Sequence, residues 1–277
     1  MEQKIGIIGY GSMGKMLLEK FLETKTVDES NLFVSNRTYE KIINLTKIYP
    51  KINICRNNID VVKNADMFFI CVKPFETKAL LLEIINDAKE DAHIISINGA
   101  ILFKYLEQIC KNRKLSIIIP SVTAEVNKSV TLISHNNYVN DYDKNNIKRL
   151  LECFGTVTKV SETEIGTDSE LTSCMPGYIA AIFEVITDVA EKHIPVNKEQ
   201  IIQMVTETMY GAGKLLLEKR MTFDNLVNKV ATKGGITEEG VKIIREQLPK
   251  TINEMFEKTL EKRRWTTEMA QKDFYHE

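Results

Sequence analysis

The stretch Gly9-Tyr10-Gly11-Ser12-Met13-Gly14 decides the fold of the N-terminal half. It follows an apolar run that ends at Ile8 and precedes apolar residues at helical spacing. In a G-x-G-x-x-G loop between strand and helix, the first glycine permits a tight turn, the second lets the backbone approach a pyrophosphate, and the third lets the helix pack on the strand. The free N–H groups of the helix start would then bind the phosphates. We therefore predict a Rossmann dinucleotide-binding domain whose loop residues bind the cofactor: Gly9, Gly11, Ser12, Met13 and Gly14.

The predicted second strand, residues 32–35, ends without an acidic residue. Sites specific for NAD usually place Asp or Glu there to bind the ribose 2′-hydroxyl, whereas this chain has Ser35, Asn36 and Arg37. A guanidinium attracts a 2′-phosphate, and the neighbouring polar groups can add hydrogen bonds. The sequence therefore predicts NADPH as the cofactor, bound by these three residues. The alternative is that Asn36 caps the next helix and that Arg37 is a solvated surface charge.

Composition excludes several classes of protein. The 277 residues, 43% of them hydrophobic, suffice for one large or two ordinary domains, and a net charge of −1 gives no general attraction for nucleic acids or anionic membranes. We expect a cytoplasmic protein without a signal peptide or a membrane span of about twenty apolar residues. Five separated cysteines without a C-x-x-C pair and four scattered histidines predict reduced thiols and no bound metal.

Short apolar strands alternate with helical patterns from Lys4 to Val160, which predicts a mainly parallel sheet covered on both faces. Strands are predicted near residues 4–9, 31–35, 52–54, 66–71, 93–97, 115–119, 130–134 and 156–160. The fourth has the continuous apolar run of a central strand, and Pro74 ends it where ligands bind in such sheets. Val72, Lys73 and Pro74 are therefore expected to line the cofactor. For Lys73, a solvated turn residue is an equal alternative.

The second half of the chain has only helical patterns. Helices are predicted at 170–192, 197–219, 222–230 and 237–262, the first of them a core helix with an irregular start. Apolar residues surround most of the helix near 203–217, so we predict a homodimer, or a higher oligomer built from dimers, through this half. The predicted domains are residues 1–161, binding NADP, and residues 162–277, for dimerisation and substrate. The tail from residue 263 is polar and aromatic; a terminal helix is one interpretation of it, and it carries no motif that we interpret.

Two segments of the helical half are unusual enough to be catalytic, residues 172–178 and 232–237. In the second, Gly234 and Gly235 precede Thr237 and two acids at a predicted helix start. The exposed N–H groups of such a start bind anions, so a substrate carboxylate would fit there. The alternative is an ordinary turn with Thr237 as the N-cap.

In order and spacing, these segments resemble the pyrroline-5-carboxylate reductase family. The matching pieces are the glycine loop, residues 35–37, 71–74 and 95–97, Pro176 with Tyr178, residues 211–214, and residues 232–237. The resemblance implies a Rossmann domain, a helical dimerisation domain with interlocking subunits, and NADPH-dependent reduction of 1-pyrroline-5-carboxylate, a cyclic imine, to L-proline. It further implies which residues bind the substrate, with Thr237 as the catalytic residue near the imine nitrogen: Thr232, Gly234, Gly235, Thr237, Met175 and Pro176.

This reaction requires little from side chains. A protonated imine is already electrophilic, so hydride transfer needs mainly orientation and a hydrogen bond to the nitrogen. The related β-hydroxyacid dehydrogenases would call for a catalytic lysine on the interdomain helix, and none lies between Asp168 and Glu191. The sequence therefore favours an imine over a carbonyl substrate.

Three segments depart from the family pattern. Residues 120–124 read Pro-Ser-Val-Thr-Ala instead of Pro-Asn-Thr-Pro-Ala, residues 175–177 Met-Pro-Gly instead of Gly-Pro-Ala, and residues 232–237 Thr-Lys-Gly-Gly-Ile-Thr instead of Ser-Pro-Gly-Gly-Thr-Thr. Such changes resemble the competence-operon ComER-type branch. Two alternatives therefore stand beside the reductase: an enzyme for another small imine or keto substrate, because Met175 and Ile236 crowd the pocket, and a catalytically silent NADPH-binding regulatory paralogue.

Overall fold

The computed structural model describes residues 3–275, and the eight predicted strands form one sheet in it. The strands are β1 (Ile5–Ile8), β2 (Leu32–Ser35), β3 (Asn53–Ile54), β4 (Met67–Ile70), β5 (His93–Ser96), β6 (Lys114–Ile119), β7 (Ser129–His135) and β8 (Gly155–Lys159). The sheet order is β3-β2-β1-β4-β5-β6-β7-β8. Strands β1 to β6 run parallel, β7 pairs antiparallel to β6, and β8 pairs parallel to β7.

Strand β4 lies at the centre of the sheet and is buried on both faces. Its side chains alternate, so that Phe68 and Ile70 join the core on one face of the sheet, whereas Met67 and Phe69 join the core on the other. The ring of Phe69 lies 5.7 Å from the ring of Phe21 on the first helix. A continuous apolar run is what such a position requires, and it explains why the sequence predicted this strand.

Helices cover both faces of the sheet, and side-chain caps fix where some of them begin. Asn57 and Asn140 each accept a hydrogen bond from the backbone N–H three residues on, at the starts of the fourth and seventh helices. The helices of this half are α1 (Ser12–Glu23), α2 (Glu40–Ile43), α3 (Leu45–Ile48), α4 (Asn58–Asn64), α5 (Thr77–Ile84), α6 (Phe103–Ile109), α7 (Asp141–Leu151) and α8 (Ile165–Asp168).

The second half is helical, as predicted. Its helices are α9 (Met175–His193), α10 (Lys198–Glu218), α11 (Phe223–Val230) and α12 (Ile236–Tyr275). Helix α12 runs well past residue 262, so the predicted end of this helix was wrong, whereas the helix considered for the tail is present, as a continuation of α12. The tail continues the helix because its last turns bury Ala270 and Phe274 in the core beside the sheet.

The described chain divides into two compact units. The first comprises residues up to Pro176 together with those from Arg263 onward, and the second is Gly177–Lys262. Within the first unit, the tail is tied down by the Arg263 guanidinium, whose Nε donates to Oε1 of the buried Glu170 at 2.9 Å. The domain boundary between residues 161 and 162 stays a prediction, since compactness divides the chain at other residues.

Helix α9 differs from the expected core helix. It starts regularly at Met175, because Pro176 is tolerated in a first turn, and Thr187 is its one buried residue in the part of the chain that is described. Its apolar side chains are exposed or half-buried in the single chain. The segment Ile165–His193 is also long and apolar enough to cross a membrane, by length and composition only, whereas no such segment was predicted from the sequence. One such segment is weak evidence for a span, and an exposed apolar face is equally typical of a subunit interface.

Burial of His93 at the start of β5 predicts a pH-dependent stability. Its side chain is 1% exposed and shares a 2.7 Å hydrogen bond with the Ser116 hydroxyl, and burial lowers the pKa of this imidazole to about 3. Below about pH 6.5 the unfolded chain takes up a proton that the folded chain does not. The free energy of unfolding should therefore fall by about 2 kcal/mol between pH 6.5 and pH 5 through this residue alone.

Urea denaturation at several pH values measures this effect. The His93→Leu variant should show a shallower pH dependence than the wild type, by about one proton, whatever its absolute stability. Equal slopes for the two proteins would contradict the assignment.

Docking of the tail predicts that residue Phe274 stabilises the first unit. This side chain is 7% exposed and its ring lies 5.8 Å from the ring of Tyr105. Phe274→Ala should lower the free energy of unfolding by about 3 kcal/mol, because it removes buried apolar surface and leaves a cavity. The exposed aromatic residue Tyr142 provides the control, since Tyr142→Ala should change stability by less than about 0.5 kcal/mol. Similar losses in both variants would argue against the docking.

Candidate functional site

The glycine loop has the geometry that its sequence predicts. Gly9 has φ +99°, its N–H donates to the Ser35 carbonyl at 2.9 Å, and a Cβ there would lie 2.7 Å from the Cys71 carbonyl oxygen. A Cβ at Gly14 would lie only 2.0 Å from the Gly9 carbonyl oxygen. Both positions therefore require glycine, one for its backbone conformation and one for the close approach of helix and strand.

Gly11 is different, because space is open around it. No heavy atom lies within 4 Å of a Cβ placed there. The residue precedes α1, and its carbonyl accepts the first helical hydrogen bond, from the Lys15 N–H at 2.9 Å. The first turn of α1, with Ser12 and Met13, thus starts beside an open cradle. Its amide groups and helix dipole suit an anion, so the residues present fit a dinucleotide pyrophosphate.

Strand register brings the predicted cofactor residues to one edge of the sheet. Ile8 of β1 pairs with Ser35 of β2 and with Ile70 of β4, and Ile70 pairs with Ser96 of β5. The strands therefore end level with one another. The glycine loop, residues 36–37 and residues 71–74 all follow directly at this carboxyl edge, where open α/β sheets bind ligands.

Ser35 and Asn36 support the loop from the end of β2. The buried Ser35 hydroxyl donates to Oδ1 of Asn58 at 2.8 Å, and Oδ1 of Asn36 accepts the Tyr10 N–H at 2.9 Å. Asn36 does not cap α2, whose N-cap is Tyr39, so the capping alternative is wrong. Direct contact of Ser35 and Asn36 with a cofactor stays a prediction.

Arg37 extends from the same edge into solvent. Its side chain is 88% exposed, and Nη1 donates to Oε1 of Glu76 at 2.9 Å. Glu76 closes a short turn that begins at Pro74, and its other oxygen accepts the Lys73 N–H at 3.2 Å. Glu76 is not among the residues that the sequence predicted for the site. Its position three residues after Lys73, where a capping carboxylate stands, was the available signal.

The loop after β4 packs against the glycine turn. Cγ1 of the half-buried Val72 lies 3.4 Å from the place that a Cβ of Gly9 would take. Lys73 is exposed, which is compatible both with a solvated turn residue and with a residue that contacts the cofactor. The loop thus lies at the carboxyl edge of the sheet beside the glycine turn, and that Val72, Lys73 and Pro74 line the cofactor stays a prediction.

The residues expected to bind substrate are divided between the two compact units. In the first unit, Met175 and Pro176 begin α9 and are half-buried. The Ser121 hydroxyl donates to the Thr172 carbonyl at 3.1 Å, which ties the altered 120–124 loop to the segment before α9.

In the second unit, the glycine pair forms a tight turn into α12. Gly234 has φ +73°, the Gly235 N–H donates to the Thr232 carbonyl at 2.8 Å, and a Cβ on Gly235 would lie 2.6 Å from the Thr232 hydroxyl. Helix α12 begins at Ile236, so Thr237 lies within the first turn and is not the N-cap, contrary to the alternative considered. The Thr237 side chain is exposed.

A carboxylate already lies at this helix start. Oε2 of Glu238 accepts the Gly234 N–H at 2.7 Å. The turn therefore presents a backbone donor that pairs with a carboxylate, the chemistry expected for a substrate acid group. Among the residues that the structure describes, no group of three or more histidine, cysteine or acidic side chains is arranged to hold a metal ion.

Comparison with known proteins matches both halves of the chain. Residues 162–265 match a family model for pyrroline-5-carboxylate reductase dimerisation, and residues 4–99 match one for an NADP oxidoreductase, coenzyme F420-dependent. The chain is similar to the crystal structure of Plasmodium falciparum pyrroline carboxylate reductase with NADP bound, with a TM-score of 0.83, 21% identity, and coverage of 96% of this chain and 99% of that one. At this identity the likeness shows a shared fold.

Two curated relatives come from Bacillus subtilis. ComE operon protein 4 is 31% identical over 92% of this chain and 93% of its own length. Pyrroline-5-carboxylate reductase 3 is 34% identical over 98% of this chain and 99% of its own length. The competence-operon relative is thus no better a match than the reductase, and the protein belongs to the pyrroline-5-carboxylate reductase family.

Proposed function

We propose that the protein catalyses the NADPH-dependent reduction of 1-pyrroline-5-carboxylate to L-proline. The observation that carries the proposal is the 34% identity to a pyrroline-5-carboxylate reductase along 98% of the chain. The glycine loop supports it, because Gly9 and Gly14 meet strict steric demands while Gly11 leaves a cradle open. Arg37 at the end of β2 supports the choice of NADPH, as does the NADP bound in the Plasmodium relative.

In this mechanism the chain's own residues bind the cofactor and the substrate and orient them for hydride transfer. A bound reduced nicotinamide supplies the hydride for the C=N bond. The amides at the start of α1 hold the pyrophosphate, and Arg37 holds the 2′-phosphate. In the second unit, the turn at Gly234 and Gly235 holds the substrate carboxylate, with Glu238 giving up its hydrogen bond to the Gly234 N–H. The Thr237 hydroxyl oxygen accepts a hydrogen bond from the N–H of the protonated imine.

We also propose that the working form is a homodimer, or an oligomer built from dimers, in the cytoplasm. The apolar side chains of α9 and α10 are exposed in the single chain, and residues 162–265 match a dimerisation family. The five cysteines are free thiols, which suits a reducing compartment.

One assay tests the function directly. Purified protein is mixed with NADPH and 1-pyrroline-5-carboxylate, and the loss of cofactor absorbance is followed. Turnover supports the proposal. Activity on other small imines or keto compounds but not on this imine would favour a different substrate, whereas tight NADPH binding without turnover on any of them would favour a regulatory protein.

Arg37→Ala should weaken NADPH binding selectively. Loss of a charge-assisted phosphate contact costs about 1.5 to 3 kcal/mol, so the Kd for NADPH should rise by a factor of about 10 to 150. The Kd for NADH, which lacks the 2′-phosphate, should change little. Fluorescence titration of both cofactors checks this, and equal losses for the two would remove the phosphate assignment.

Thr237→Val should lower kcat/KM by about 10- to 100-fold, because it removes the hydrogen bond to the imine nitrogen at nearly constant volume. Thr237→Ser is the matched control: it retains the hydroxyl and should stay within a few fold of the wild type. The Kd for NADPH should be the same in all three proteins. Equal activity of the valine and serine variants would exclude a role for the hydroxyl.

A further inference from the structure

The ion pair between Arg37 and Glu76 joins two loops across the candidate cofactor edge. Arg37 lies two residues after the end of β2, and Glu76 closes the turn that follows β4. Strand β1 lies between β2 and β4 in the sheet and leads into the glycine loop. The 2.9 Å contact from Nη1 of Arg37 to Oε1 of Glu76 therefore links the loop after β2 to the loop after β4, on either side of β1.

Glu76 is held in place independently of Arg37. Its second carboxylate oxygen accepts the backbone N–H of Lys73 at 3.2 Å, so one oxygen closes the turn and the other faces the guanidinium. A carboxylate fixed in this way keeps a negative charge beside the group that would receive a phosphate. Like charges at such distances repel, and the repulsion acts on a phosphate but not on a neutral hydroxyl.

We propose that Glu76 is a cofactor-selectivity residue that weakens NADPH binding relative to NADH. The inference rests on the proposed use of NADPH and deepens it. To bind a 2′-phosphate, the Arg37 guanidinium must break its ion pair with Glu76 or divide its N–H donors between the carboxylate and the phosphate. The adenosine end of NADH has no 2′-phosphate and does not require Arg37 to leave Glu76. Glu76 therefore reduces the difference in binding affinity between NADPH and NADH.

Exposure sets the size of the effect. The side chains of Arg37 and Glu76 are 88% and 42% exposed, and ion pairs of this kind are weak because water screens them. The pair can therefore yield to a phosphate, yet it still opposes binding. Removing the acid should tighten NADPH binding by about three- to tenfold, the range expected when a weak competing pair and a nearby like charge are both removed.

Glu76→Gln is the variant that isolates the charge. A glutamine oxygen can still accept the Lys73 N–H, so the turn is retained while the negative charge is lost. Binding of NADPH and of NADH is titrated by cofactor fluorescence with the wild type and the variant at low and at physiological salt. We expect the ratio of Kd for NADH to Kd for NADPH to rise by at least about threefold, and the rise to shrink as salt screens the charges.

Glu152→Gln is the matched control. Glu152 is also in an exposed ion pair, with Lys148 on α7, and its side chain is 44% exposed. The variant removes the same formal charge from the protein, and Glu152 precedes the edge strand β8, with β5, β6 and β7 between that strand and β4. The Kd ratio of this variant should therefore equal that of the wild type. In the Arg37→Ala background, Glu76→Gln should have a smaller effect than in the wild type, because the competing pair is already gone.

Two results would overturn the proposal: a Kd ratio that Glu76→Gln leaves unchanged or lowers, and a ratio that Glu152→Gln raises equally. Thermal unfolding of each variant shows whether it is folded, and a Glu76→Asp variant, which keeps the charge, should keep a ratio near the wild-type value. These titrations contain no imine. A protein that binds NADPH but does not reduce the imine would refute the proposed reaction alone, whereas imine reduction with an unaltered Kd ratio would refute only the role of Glu76.

Discussion

The constraint on which the rest of the cofactor half depends is the contact between the start of α1 and the turn that leaves β1. A single methyl group at Gly14 would lie 2.0 Å from the Gly9 carbonyl oxygen, so the helix can reach its place only if this residue has no side chain. That close approach aims the first turn of α1 at the carboxyl edge. The absence of a side chain at Gly14 therefore positions the amides of this turn, and with them any phosphate that they bind.

The rigid sheet makes this edge a single surface. Strand β4 is buried on both faces, and its register with β1 and β5 ends the three strands at the same level. Loops that are far apart in the sequence meet there, among them the turn that carries Glu76 and the residues that follow β2. At this edge the exposed Arg37 guanidinium pairs with the carboxylate of Glu76. In the function that we propose, the guanidinium attracts a phosphate and the carboxylate beside it opposes the same ligand.

In the second unit of the described chain, well-defined helices are not accompanied by a buried apolar core. Its helices have well-defined starts at Asn197 and Thr222, yet nearly all of their apolar side chains are exposed or only half-buried in the single chain. Caps and helical periodicity are local properties, so the sequence predicted these helices well. Burial depends on what covers them, and a second subunit of the same kind is the partner that the dimerisation match and the exposed apolar faces favour.

Local patterns in the sequence determined the eight strands, the glycine loop and the helical second half, because alternation, apolar runs and glycine spacing act over a few residues. The tertiary structure alone decided three matters. The first is that helix α12 continues to Tyr275, because Phe274 is buried in the core beside the sheet. The second is the hydrogen bond from the Ser35 hydroxyl to Asn58, and the third is the ion pair of Arg37 with Glu76. Each depends on groups distant along the chain that only folding brings together, and spacing along the sequence carries no record of such contacts.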